Sequence, residues 1–128
     1  MAASDEADLV RMINTSVDIN SQPSAFRYPR GNGIGVNLPS INEKIEIGKS
    51  KIVQEGNKIA ILNFGARLNE TLKAGENLKK KGVSITIVDA RFAKPLDENL
   101  IWQLATTHEA IVTIEAVSYT HLRAHETS

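Results

Sequence analysis

Three arginines stand where a side chain could do chemistry. Arg27 and Arg30 lie three residues apart in "PSAFRYPRG" (23–31), between prolines and glycines, and Arg91 closes the apolar run of "VDARFAKPLD" (88–97). A guanidinium stays charged at any physiological pH, and its planar fork matches a phosphate or a carboxylate. In open α/β sheets, ligands bind beyond the carboxyl ends of the strands. The positions to inspect by that rule are Asn63–Gly65, Asp89–Arg91 and Glu115, with Arg27 and Arg30 at the end of "SAFRYP". Arg27 and Arg91 converging on one anion is one reading. The other is that each pairs with a nearby acid such as Asp89 or Asp97, and spacing alone favours it, since such pairs are common.

The remaining candidates are weaker. "LNFGAR" (62–67) is a strand–glycine–helix turn whose free amides could hold an anion, although one glycine serves a tight turn equally well. No glycine-rich dinucleotide or P-loop fingerprint occurs. His108, at the end of a helical stretch, reads as a C-terminal cap. His121 and His125 are four apart, a metal-compatible spacing on a helix that lacks a third ligand here. Trp102, with Leu100 and Leu104 nearby, reads as core. No Ser/His/Asp order or closely paired carboxylates make a self-contained catalytic set.

Composition narrows the class. The 128 residues, one domain's worth, carry 15 basic and 15 acidic side chains, and the longest basic run is "KKK" at 79–81. That is no electrostatic footprint for nucleic acid. With no cysteine, disulfides, thiolate metal sites and a cysteine nucleophile are excluded. Apolar runs fall far short of the roughly 20 residues of a membrane span. "MAASDEADL" is acidic and polar, unlike a signal peptide, so a cytoplasmic protein is expected.

The elements that must position the arginines follow from periodicity. "SDEADLVRMINTSVDI" reads as a helix capped by Ser4, with Leu9, Met12, Ile13 and Val17 on one face. "SAFRYP" reads as a short strand closed by Pro29. The glycine-rich stretch from Gly31 has no periodicity and reads as a linker. "IEIGKSKIVQEG" then reads as two edge strands turning near Gly48–Ser50. "KIAILNFG", "VSITIVDA" and "AIVTIE" read as strands. They alternate with a helix bearing Leu68, Leu72 and Leu78 that stops at Gly82, and with a second helix capped by Asp97. Strands alternating with helices predict a parallel α/β sheet buried on both faces. Residues 1–30 supply one helix and one strand, too little for a core of their own.

"SDEADLVRM", "PSAFRYPRGNGIGV", "IGKSKIVQEGNKIAILNFG", "VDARFAKPLDENLI" and "HEAIVTIE" together resemble the 1-deoxy-D-xylulose-5-phosphate synthases. The likeness runs in order from residue 1 to about 115, and "RYPRG" followed by "DARFAKPLD" is its most specific part. The fold it implies is α/β: a transketolase C-terminal-like domain with a mostly parallel sheet and flanking helices, preceded by a helix–strand remnant of the pyrimidine-binding domain. Residues 1–30 would be the end of that domain, 31–44 a linker and 45–115 a truncated C-terminal domain. The family continues with an acidic residue and a glycine-rich turn where this chain reads "AVSYTHLRAHETS", so 116–128 reads as a non-native tail.

The activity implied is a thiamine-diphosphate-dependent transferase that condenses pyruvate with glyceraldehyde 3-phosphate and releases carbon dioxide. Its product feeds isoprenoid, thiamine and pyridoxal synthesis, and the family is homodimeric, with no nucleic-acid or membrane partner. By the resemblance, Arg27 and Arg91 bind the aldehyde's phosphate, and Arg30 is a possible supporting residue. The thiamine diphosphate and Mg2+ site, with the catalytic glutamate, belongs to sequence upstream of this stretch. No catalytic, cofactor or metal residue is therefore assigned here, and the fragment alone is expected to be inactive. The alternatives are a fragment of a transketolase, a fragment of a 2-oxo acid dehydrogenase β subunit, or a non-catalytic α/β binding module.

Overall fold

In the computed structural model, which describes residues 1–40 and 42–116, the elements run α1 (Glu6–Val17), β1 (Lys51–Gln54), β2 (Ile59–Phe64), α2 (Leu68–Lys80), β3 (Ile85–Asp89), α3 (Glu98–Thr107) and β4 (Ala110–Glu115). The strands form one sheet in the order β1-β3-β2-β4. β2 pairs in parallel with both β3 and β4, whereas β1 lies antiparallel on β3.

The chain steps from β2 to β3 in one direction and from β3 past β2 to β4 in the other. Because such crossovers are right-handed, the two helices fall on opposite faces. On one face Leu100, Ile101 and Leu104 of α3 pack with Ala60, Leu62 and Val88. On the other, Leu68, Leu72 and Leu78 of α2 pack with Ile61, Ile85 and Ile87. β3 is buried along its whole length, as a strand covered on both faces should be. β4 is half-buried at most, because it ends the sheet.

Local signals set the ends of these elements. Asp97 is the N-cap of α3 and accepts the Leu100 amide at 3.3 Å. α2 ends at Lys80, and Gly82 follows with φ 84°, a conformation that glycine adopts without penalty. Gly56 is required for a different reason. Thr86 Oγ1 accepts its amide and donates to its carbonyl, pressing Gly56 onto β3. A Cβ there would come within 2.6 Å of the Ile85 nitrogen. Gly56→Ala should therefore cost about 1–3 kcal/mol through overpacking against backbone that cannot yield. A urea-unfolding midpoint equal to the wild type's would contradict this.

Several local expectations are corrected. "IEIGKSKIVQEG" makes one edge strand, not two: Ile45 turns inward to pack with Ala3, Met12 and Phe92, and only Lys51–Gln54 pairs. "SAFRYP" makes a single bridge, Ala2 to Arg27, since among the described residues it has no further strand to lie against. Asp5, not Ser4, caps α1 by accepting the Asp8 amide at 2.7 Å. Met12 is fully buried, but Ile13 and Val17 are exposed because, among the described residues, no element covers the outer side of α1. Trp102 is 74% exposed and lies outside the core, on the side of α3 turned from the sheet. His121, His125 and residues 117–128 of the expected tail lie outside the described residues.

The stretch read as a linker lies along α1. Glu6 accepts the amides of Ile34 and Val36, both at 2.8 Å. Further along, Arg11 pairs with Glu43 at 3.1 Å, Asn14 donates to the Glu43 carbonyl, and Lys44 pairs with Asp18. Thr15 Oγ1 accepts the Ile45 amide at 2.9 Å and closes the series.

Candidate functional site

β2 and β3 are neighbours whose onward connections leave toward opposite faces. The crevice beyond their carboxyl ends is therefore the topological switch point, where α/β sheets bind ligands. Residues 1–3 lie in it. The Ala2 amide donates to the Arg91 carbonyl at 2.6 Å, and the Ala3 amide donates to the Arg27 carbonyl at 3.1 Å. The Arg27 amide donates back to the Met1 carbonyl at 2.8 Å. One short segment thus ties the backbones of Arg27 and Arg91, which lie far apart in sequence, to its two sides.

The β2 end is clamped by Asn63, which is fully buried. Its Nδ2 donates to the Gly65 carbonyl at 2.8 Å, and Thr71 of α2 donates to its Oδ1 at 3.3 Å. Gly65 has φ 94° and lies 3.7 Å (as a virtual Cβ) from the Ala3 carbonyl, so the tight-turn reading of "LNFGAR" accounts for this glycine. Two adjoining clefts open here. One, of about 150 Å³, runs between the start of α1 and Tyr28–Ile34. The other, of about 90 Å³, is lined by Arg27, Phe64, Gly65 and Ala116.

Arg91 sits at φ 60°, a left-handed conformation that costs a non-glycine residue about 1–2 kcal/mol. It aims the side chain into a buried acidic cluster. Arg91 Nη2 donates to Asp8 Oδ1 at 2.9 Å, and Arg91 Nε lies 3.9 Å from Asp89 Oδ2. Asp8 also faces Arg11 at 3.7 Å and accepts a long bond from Ser4 Oγ at 3.4 Å. Asp8 and Asp89 are 2% and 3% exposed, and among the described residues Asp89 Oδ1 and Arg91 Nε have no hydrogen-bond partner. Burial pushes the Asp89 carboxyl up to about 7, reinforced by the charge of Asp8 and weakly by Asp5, against the pull of the Ser4 hydroxyl and of Arg91.

Arg27 is on the surface, where its Nη1 meets Glu115 Oε1 at 2.7 Å. Arg30 is exposed on the loop leading to Gly31, and among the described residues it joins neither cluster. Among the described residues Asp97 pairs with no arginine: besides capping α3 it accepts the Ser50 amide at 2.8 Å. His108 does end α3, but its ring lies at the amino ends of the strands, away from the arginines, with Nε2 2.7 Å from Thr86 Oγ1 of β3.

Asp8 is the residue that sequence reasoning missed. Its signal is there in retrospect: it stands four residues before Met12 and seven before Thr15, on the buried side of α1. Among the described residues no group of three or more His, Asp or Glu side chains could hold a metal ion, and no helix is long and apolar enough to cross a membrane. The arrangement brings the two arginine backbones together on residues 1–3, while their guanidinium groups go to different acids, Arg91 buried on Asp8 and Arg27 exposed on Glu115.

The comparisons agree with this fold. A solved structure described as "Split gene transketolase, inactive beta4 tetramer" is 28% identical, with a TM-score of 0.56, over 62% of this chain. The match spans 27% of that protein's own chain. Residues 48–121, from just before β1 to past the end of β4, match the transketolase C-terminal domain, and the chain belongs to that family.

Proposed function

We propose that this chain supplies the phosphate-binding half of a 1-deoxy-D-xylulose-5-phosphate synthase, with Arg27 and Arg91 gripping the phosphate of glyceraldehyde 3-phosphate. The observation that carries the reading is the attachment of both arginine backbones to the two sides of residues 1–3 at the switch point. Membership of the transketolase C-terminal domain family supports a thiamine-diphosphate-dependent transferase of this kind. The "RYPRG" and "DARFAKPLD" stretches are what favour the synthase within that group.

The described residues contain no group of three or more His, Asp or Glu side chains that could hold a metal ion, so they do not fit the cofactor's diphosphate–metal end. In an assembled enzyme the cofactor supplies the carbanion chemistry. The role of this chain's residues is to bind and orient. A phosphate held by two guanidinium forks gives binding energy remote from the reacting aldehyde, and that energy can be used for orientation in the transition state.

The test is a titration of the 128-residue chain with glyceraldehyde 3-phosphate, followed by amide shifts near residues 27 and 91. Arg27→Ala should weaken binding by about 1.5–3 kcal/mol, the worth of a charge-assisted contact, Arg91→Lys, which keeps the charge but loses the fork, should weaken it by less, and the chain should form no product from pyruvate. Unchanged affinity in both variants would remove the phosphate role. A transketolase proper is the second reading, favoured by the 28% identity to the split-gene transketolase. The full-length enzyme containing this sequence separates the two, since the synthase uses pyruvate as donor and a transketolase a ketose phosphate.

A further inference from the structure

The two arginines of the grip are not equally available. Arg91 is locked by Asp8, whose side chain is 3% exposed and which Ser4 and Arg11 also approach. Displacing Asp8 would strand a buried carboxylate, so an incoming anion must approach Arg91 with that pair intact. Arg27 differs in each respect. Its partner Glu115 is 44% exposed, meets it through one contact at 2.7 Å, and has no other hydrogen bond or ion pair among the described residues. Glu115 is the last residue of β4, level with Phe64 of β2, so its carboxylate stands at the rim of the cleft that Arg27 and Phe64 line.

We propose that Glu115 is an internal competitor for the phosphate site, occupying Arg27 until an incoming phosphate displaces it. The proposal rests on the phosphate reading of Arg27 and Arg91. A phosphate and the Glu115 carboxylate repel each other and need the same guanidinium edge, so both cannot hold it together. Exposed ion pairs are weak, so the competitor lowers affinity modestly and leaves without trapping the site closed. Between ligands it neutralises Arg27 and holds it pointed at the cleft. The carboxylate thereby sets how tightly the phosphate end is held and how readily it is released.

The experiment titrates the 128-residue chain with inorganic phosphate and with glyceraldehyde 3-phosphate, in the wild type, Glu115→Gln, Arg27→Ala and the double variant. Glu109→Gln, just before the start of β4, is the charge-matched control. Glu115→Gln should tighten binding about two- to five-fold, the range set by the worth of an exposed pair, and Glu109→Gln should not. In the Arg27→Ala background the Glu115→Gln gain should vanish, which isolates the pairwise effect. Affinity unchanged or weakened by Glu115→Gln, or a gain that survives the loss of Arg27, overturns the competitor while leaving the phosphate reading intact. Failure of both the wild type and Glu115→Gln to bind phosphate overturns the two together.

Discussion

Arg91→Ala is expected to destabilise the chain by about 3–5 kcal/mol near pH 8, the usual consequence of removing one partner from a buried ion pair. Asp8 and Asp89 are both nearly inaccessible to solvent, and Arg91 is the cation they share. Alanine would keep the left-handed backbone at this position and lose the interactions that offset its strain. Near pH 5.5 Asp89 already carries a proton, so only Asp8 is stranded and the loss should shrink to about half. Urea unfolding at both pH values measures it. Equal losses at the two would show that Asp89 does not take part, and a negligible loss at both would dissolve the cluster as a structural unit.

Asp89→Asn should act in the opposite direction. Folded, Asp89 holds its proton up to about pH 7, whereas its ordinary value is 3.8. Between those values the folded chain binds a proton that the unfolded chain has released, so stability falls as pH rises through the window and levels off above it. The full drop is about 4 kcal/mol for a shift of this size. Asparagine has the same shape and nothing to titrate, and Arg91 keeps Asp8 as its counter-ion. The variant should therefore be more stable than the wild type near pH 8, with the difference fading toward about pH 4. Parallel stability profiles for the two proteins would rule out a raised Asp89 carboxyl.

The sheet was legible because its signals are local. Continuous apolar runs mark β2 and β3, Asp97 and Gly82 mark helix ends, and leucine spacing marks the inner side of α2. The failures share a cause: burial depends on what lies opposite, which spacing does not encode. Trp102 follows the stripe of α3 but faces away from the sheet, and Ile45 sits in an apparent strand yet packs under α1. The candidate site was half legible. Strand ends pointed to Arg27, Asp89 and Arg91, and Asp89 does lie beside an arginine. Asp8 meets Arg91 across 83 residues of sequence, and Glu115 meets Arg27 across the whole sheet-forming region, so neither pairing leaves a local trace.

The docking of residues 1–3 between the two arginines has a geometric consequence. A hydrogen-bonded chain on each side acts as a spacer of fixed gauge: adjacent strands lie about 4.8 Å apart, so the two arginine backbones stand roughly 10 Å from each other. That gauge is set by peptide hydrogen bonds and is indifferent to side-chain packing. The separation of the two backbones is thus built into the main chain, like the jaw width of a caliper. Substitutions on the surrounding surface can change which groups the two side chains meet, but the span between the backbones stays the same as long as those three residues remain seated.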